Sequence, residues 1–151
     1  MKPVFWKLSH GFTHFTYPEF LESIEDKLAY IHKDTKAKGQ SPTTQGHDFI
    51  SAEIGNYFYL TYGNRGIYLL GQFVGPANIF SNYGDGWLDR SYRIIARSKS
   101  NKDDIYAGPD KWWSPNHNST FVKVPDNELM LFEEHILVRY FGIQLKEYGF
   151  K

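Results

Sequence analysis

Residues 55–74 hold the feature that most narrows what this chain can fold into. An aromatic, β-favouring run, NYFYLTY at 56–62, leads into Gly63-Asn64-Arg65-Gly66, and a second such run, IYLLGQFV, fills 67–74. Glycine and asparagine supply the backbone angles of a tight reversal, so the two runs are predicted to pair as an antiparallel hairpin. A lone hairpin is at best marginally stable in water. It needs further strands or a helix against it, and the rest of the chain supplies candidates for both.

Three more segments read as strands. VFWKLS at 4–9 is β-branched and aromatic and runs out before Gly11, with Trp6 expected in the core. WLDRSYRIIAR at 87–97 sets Trp87 at its mouth and arginines along its length, after a loop of Asn, Tyr, Asp and Gly at 79–86. TFVKV at 120–124 is short and closed by Pro125, and Trp112-Trp113-Ser114-Pro115 interrupts the chain before it. Thr16 and Glu19 stand at capping-box spacing, Pro18 suits a first helical turn, and Phe20, Leu21, Ile24 and Leu28 share a face, which predicts a helix over 17–26. Phe49, Ile50 and Ile54, stopped by Gly55, predict a short second helix, and the apolar spacing of residues 127–145 predicts a third. No linker rich in proline, glycine or serine divides the chain and no segment repeats. The expectation is one α+β domain over 1–151, a small β-barrel of about five to six strands with flanking helices.

Composition narrows the function. Seventeen basic residues balance seventeen acidic ones, so no net field draws in a polyanion and any nucleic-acid contact must come from local clusters. Two exist: Arg90, Arg93, Arg97, Lys99 and Lys102 against Asp89, and Lys33, Lys36 and Lys38. The absence of cysteine removes disulfides, thiol catalysis and thiolate metal sites, and fits a reducing compartment. No apolar run reaches membrane-span length and MKPVFWKL lacks the apolar core of a signal peptide, so a cytoplasmic protein without membrane contact is expected. Catalytic signatures are missing: no GxSxG, no HExxH, no phosphate loop, no GxGxxG after a strand. Pro125-Asp126 followed by Glu128 lacks the companion lysine of a nuclease and reads as a strand-to-helix turn. His10 and His14 are four apart, but Gly11 argues against a helix there and no third ligand follows, so neither metal nor other cofactor is expected.

What remains is binding. The segment YIHKDTKAKGQS at 30–41 gathers three lysines, an aspartate, hydroxyls, Gln40 and Gly39 between more apolar regions, chemistry suited to a polar, anionic ligand. Ser9 and His10 fall where the first strand ends, and strand ends are where a scaffold offers small polar groups to a guest. At 18% the aromatic content is high enough for rings to line a pocket as well as the core.

The order of these pieces is similar to that of a known family. An opening FWKLSHG strand, a capped helix, YIHKDTKAKGQS, QGHDFIS, GNYFYLTY, GIYLLGQFVGPAN, WLDRSYRII and a closing STFVKVP…FEEHILVRYFGI together resemble an EVE domain, of the PUA-like superfamily that includes the YTH readers. The likeness spans nearly the whole chain and is strongest to the variant at the N-terminus of McrB-type restriction subunits. Phe5-Trp6 match the family's aromatic opening strand, Gly55-Asn56-Tyr57 its hairpin start (with Asn56 where aspartate is usual), and Pro125 with Tyr140-Phe141 its tail. His32 stands near the point where YTH readers carry a tryptophan.

The resemblance implies a PUA-like barrel whose pocket accepts one extruded, modified nucleobase. In McrB-type systems such a domain directs a GTP-driven motor and a nuclease subunit to double-stranded DNA carrying methylated or hydroxymethylated cytosine or N6-methyladenine. Flipping suits the task, because a base outside its stack exposes its whole edge and any added group to a shaped pocket. On this reading Trp87 and Tyr83 make ring contacts, Ser9, His10 and His32 face the base edge, and Asp34 or Asp89 accepts from an exocyclic amine. Lys33, Lys36, Lys38, Arg90 and Arg93 meet phosphates, while Gly39 and Gln40 approach the flipped nucleotide or fill the gap it leaves. The isolated domain is expected to be a monomer without catalytic activity. A reader of modified RNA and a module for a protein or small ligand fit the same residues.

Overall fold

The computed structural model describes residues 2–39, 41–99 and 105–148 of the chain; Gln40 and Lys102, assigned above to nucleic-acid contact and to a basic cluster, lie outside the described residues. Six strands form one sheet: β1 (Phe5–His10), β2 (Leu28–His32), β3 (Tyr57–Tyr62), β4 (Arg65–Asn78), β5 (Trp87–Arg97) and β6 (Phe121–Lys123), in the spatial order β2-β5-β4-β3-β1-β6. Only β1 and β3 run parallel, and the other neighbours are antiparallel. Helices α1 (Tyr17–Glu25) and α2 (Gln45–Ser51) lie in the crossover from β1 to β3, and the chain ends in a 3₁₀ turn (Asp126–Glu128), α3 (Leu129–Phe132), a π-helical stretch (Glu133–Phe141) and α4 (Leu145–Tyr148). The α+β expectation holds, and the sheet curls through a half-barrel.

Burial explains the central hairpin. Tyr57 and Tyr59 of β3 join Phe5, Phe132, Ile136 and Tyr140 in one core, while Phe58 and Leu60 join Trp6, Leu8, Phe20, Phe49 and Phe73 in another. Both faces of β1 and β3 are therefore covered, which is why 56–62 reads as a continuous aromatic run and not as strict apolar and polar alternation. The Thr16–Glu19 capping box forms with both reciprocal bonds, starting α1 at Tyr17.

Two predicted segments differ. Residues 28–32, placed in the first helix and a following loop, are strand β2: Lys27 takes a left-handed φ of 53° and ends the helical course, so Leu28 leaves the α1 face and pairs with Ser91 of β5. Leu21, also assigned to that face, is exposed. The second helix begins earlier, at the Thr44 cap, and stops at Ala52, which leaves Ile50 and Ile54 exposed. Among the described residues no helix is long and apolar enough to cross a membrane.

One side chain shows how far the sheet curls. His10 ends β1, which three strands separate from β2 in the sheet order, yet its Nε2 accepts the Tyr30 backbone N–H of β2 at 3.1 Å. Ser23 Oγ donates to Phe20 O at 2.6 Å, so the 3.4 Å contact between Ser23 Oγ and His10 Nδ1 is a ring N–H donating to the hydroxyl. A neutral imidazole satisfied at both nitrogens pins edge strand β2 back toward β1 at the far side of the sheet. Burial holds its pKa down at about 3, and the ring stacks on Phe15 at 4.8 Å. His10 is thus a closing pin beneath the core and does not reach a bound base.

Candidate functional site

Curling leaves a cavity of about 500 Å³ where the end of β1, the end of β2, the head of β5 and the turn after β3 converge on residues 116–120. Such a volume lies in the range of small-molecule and cofactor sites. Phe12, Phe15, Tyr30 and Trp87 contribute rings; His14, His32 and His117 contribute imidazoles; Ser9, Thr35, Asn64, Asn116, Asn118 and Thr120 contribute neutral polar groups. Among the described residues, no aspartate, glutamate, lysine or arginine lines it.

Trp87 is the hub of the ring wall. His32 stands perpendicular to it at 5.4 Å, with His14 at 5.1 Å and Phe15 at 5.6 Å, all edge to face. Pairing of Trp87 with His32 across β5 and β2 sets the two rings side by side. Gly86, at φ 78°, permits that approach, since a Cβ there would stand 2.7 Å from His32 Nε2. His32 Nδ1 accepts the Asp34 backbone N–H at 3.2 Å, so in the neutral ring Nε2 carries the proton.

The opposite wall is built from below. Lys7 of β1 is fully buried, and its Nζ donates to His117 O at 2.5 Å and Ser119 Oγ at 3.1 Å. Gln45 Oε1 accepts from Thr120 N at 2.9 Å and Phe121 N at 2.6 Å, while its Nε2 donates to Lys36 O at 2.7 Å. One buried amide thereby ties the 33–39 loop to the 116–121 segment. His117 is kept neutral by burial, with the positive charges of Lys7 and Lys38 acting in the same direction against Asp110. Burial, and then Asp89 among neighbouring charges, raises the Tyr30 pKa and keeps the phenol protonated. The polar groups of the described lining are hydroxyls, amides and imidazoles.

Of the residues assigned to the pocket from sequence, Ser9, His32 and Trp87 line it. Ser9 has its hydroxyl proton committed to Gly63 O at 2.9 Å, so it can offer a guest only an acceptor. Tyr83 stands behind the wall, stacked on Phe15 at 4.8 Å and edge-on to Trp87 at 4.8 Å, with its hydroxyl bonded to His14 O. Asp34 projects into solvent and Asp89 lies along β5 opposite Tyr30; neither lines the cavity.

The cationic assignments divide. Lys33 and Lys36 are exposed, and Lys38 with Gly39 borders a separate cavity. Arg90 is corrected: it is 2% exposed, donating from Nε to Gly75 O and from Nη1 to Phe49 O, both at 2.8 Å, with its guanidinium over the Phe73 ring. It alternates with Trp87 along β5 and so faces the core, where no phosphate reaches. Arg93 is exposed but bonded to Gln72 Oε1 at 2.7 Å, roughly 20 Å along the strand from Trp87 at strand rise.

Sequence reasoning missed Phe12, His14 and the run Asn116-His117-Asn118. The criterion that selected Ser9, small polar groups at a strand terminus, applies equally to the entrance of the 121–123 strand and would have found the 116–118 run, but it gives no signal for Phe12 or His14.

No family model matches the chain, and no curated protein matches it. Among solved structures, a hypothetical protein from Leishmania major is similar with a TM-score of 0.40 at 13% identity, over 66% of this chain and 69% of that one. A likeness of that size carries no argument about fold or activity.

Proposed function

We propose that this domain recognises nucleic acid carrying a modified base, which it holds extruded in the 500 Å³ cavity against Trp87. The observation that carries this reading is the lining: aromatic rings beside hydroxyls, amides and imidazoles, with no carboxylate, ammonium or guanidinium group among the described residues. A nucleobase is itself flat, uncharged and rimmed with donors and acceptors. Extrusion costs a few kcal/mol, and stacking on an aromatic ring returns ~1 to 3 kcal/mol per base. The curled sheet and the cavity at its mouth are compatible with the PUA-like barrel of an EVE domain, and on that reading the domain serves as the targeting part of a McrB-type system, with motor and nuclease functions residing elsewhere. Lys33 and Lys36, exposed on the loop that contributes Thr35 to the cavity, are phosphate contacts on this reading, and Arg90 is withdrawn.

The test is a titration of the domain against matched duplexes carrying 5-methylcytosine, 5-hydroxymethylcytosine, N6-methyladenine or no modification, with methylated single-stranded RNA alongside and Trp87→Ala in parallel. One modified probe should bind at least ten-fold tighter than its plain counterpart, and Trp87→Ala should lose that margin. Equal affinity for modified and plain probes of every kind would reject the reading. Preference for the RNA would keep the pocket and move its target.

A further inference from the structure

A second cavity, of about 330 Å³, lies beyond a wall in which the Trp112 ring meets the His117 ring edge to face at 4.4 Å. His117 lines the first cavity and Trp112 the second, so the partition is one pair of rings thick. Two indoles, Trp6 and Trp112, border the second cavity, and its charged groups are Lys38, Lys123 and Asp48. Asp48 is already engaged, its Oδ2 accepting from Ser41 Oγ at 2.8 Å and its Oδ1 from Thr43 Oγ1 at 2.7 Å. The two lysines are not: among the described residues neither ammonium group has a carboxylate within ion-pair distance. Two lysines against one carboxylate leave the site net positive.

Trp112 is 40% exposed, unusual for a residue with so much apolar surface. Gly39 lies against its ring, where a Cβ would be 3.2 Å from Cγ, so the loop bearing Lys38 sits on the indole with its charge close by. A partly open aromatic surface beside two unpaired cations suits a flat ring that carries an anion, the chemistry of a nucleotide.

We propose that the second cavity holds the nucleotide next to the extruded one on the same strand, its base against Trp112 and its phosphate between Lys38 and Lys123. The assignment to a neighbouring nucleotide rests on the first cavity being the base pocket. The two sites then read one strand across a shared Trp112–His117 partition, and affinity should depend on the flanking position as well as on the modified base.

Two indole N–H resonances report the two cavities separately, Trp87 for the first and Trp112 for the second. Single-stranded DNA trinucleotides carrying 5-methylcytosine, 5-hydroxymethylcytosine or N6-methyladenine at the centre are titrated into ¹⁵N-labelled protein, with resonances assigned by Trp→Phe substitution. Both should move together. Movement of Trp87 alone overturns the second site and leaves the base pocket standing; movement of Trp112 alone supports the second site as a nucleotide site and overturns the base pocket; movement of neither overturns both. Trp112→Ala should weaken trinucleotide binding about ten-fold. The Lys38→Ala/Lys123→Ala pair, which leaves every ring in place, should do the same while leaving affinity for the isolated modified nucleoside unchanged. An unaltered trinucleotide affinity in that pair refutes the phosphate assignment.

Discussion

Lys7 makes the stability of this protein depend on pH in a window where few proteins change. Its ammonium is buried under the 116–120 wall, and burial, opposed by Asp110, holds its pKa down from 10.5 to about 7. In the unfolded chain the amine keeps its proton to pH 10.5, so between pH 7 and 10.5 the unfolded state binds more protons and folding is increasingly favoured as pH rises. From pH 7 to 9.5 this linkage amounts to about 3 kcal/mol for the one group, taking 10.5 and about 7 as the two pKa values. Above about pH 10 the trend reverses, because buried Tyr59, Tyr92 and Tyr106 hold their phenol protons after the unfolded chain has begun to lose its own. Urea denaturation at intervals from pH 6 to 9.5 should therefore show the midpoint rising, and Lys7→Met, which keeps the stem and removes the titration, should flatten the rise. A wild-type midpoint constant across pH 7 to 9.5, or an undiminished rise in Lys7→Met, would refute the reasoning.

Three further changes separate structural from binding roles. His10→Gln should remove a second pH dependence: the folded ring titrates at about 3 and the unfolded one at 6.5, so wild-type stability falls as pH drops from 6.5, by about 2 kcal/mol at pH 5, and the variant should lack that share of the loss in urea melts. Arg90→Met should destabilise by about 2 to 4 kcal/mol, because the buried Phe49 carbonyl and the half-buried Gly75 carbonyl lose a charged donor, while the slope of log affinity against log salt for DNA stays unchanged. Gln45→Ala should destabilise by about 2 to 4 kcal/mol in chemical denaturation, since Thr120 N, Phe121 N and Lys36 O lose their shared partner. A change below 1 kcal/mol there would mean that the two loops are held by something else.

The strands that matter most were legible because local chemistry and tertiary packing agree on them. The β3–β4 turn sits at Gly63, whose φ of 59° only glycine adopts freely, and β5 spans Trp87–Arg97 as its β-branched and aromatic run implies. β2 was not legible. LAYIH directly follows a well-capped helix and extends its apolar spacing, and only a left-handed lysine, a conformation that sequence preference argues against, separates the two. Arg90 was misplaced for a related reason. Basic residues usually mark a solvated face, but alternation along β5 turns Arg90 inward, where two backbone carbonyls and the Phe73 ring replace water.

The site was half legible, and the reason lies in how it is made. Ser9 and Trp87 stand at ends of strands that the sequence shows, and His32 was found through the polar composition of the 30–41 segment and not through the strand it ends. The facing wall depends on contacts between residues far apart in sequence: Lys7 with His117, 110 positions on, and Gln45 with Thr120, 75 positions on. Neither pair announces itself, because a lysine in a strand and a glutamine opening a helix are ordinary surface residues until burial gives each several backbone partners. That burial also determines what the cavity can accept. With Lys7 beneath the cavity floor, Arg90 turned to the core and the carboxylates of Asp34 and Asp89 outside, the formal charges of these residues are either spent on the scaffold or held off the lining. A guest therefore meets rings, hydroxyls, amides and imidazoles within the cavity and cations only outside it, at Lys33 and Lys36 on the adjoining loop and beyond the Trp112–His117 partition, an order that favours a ligand whose flat, uncharged part enters ahead of its anion.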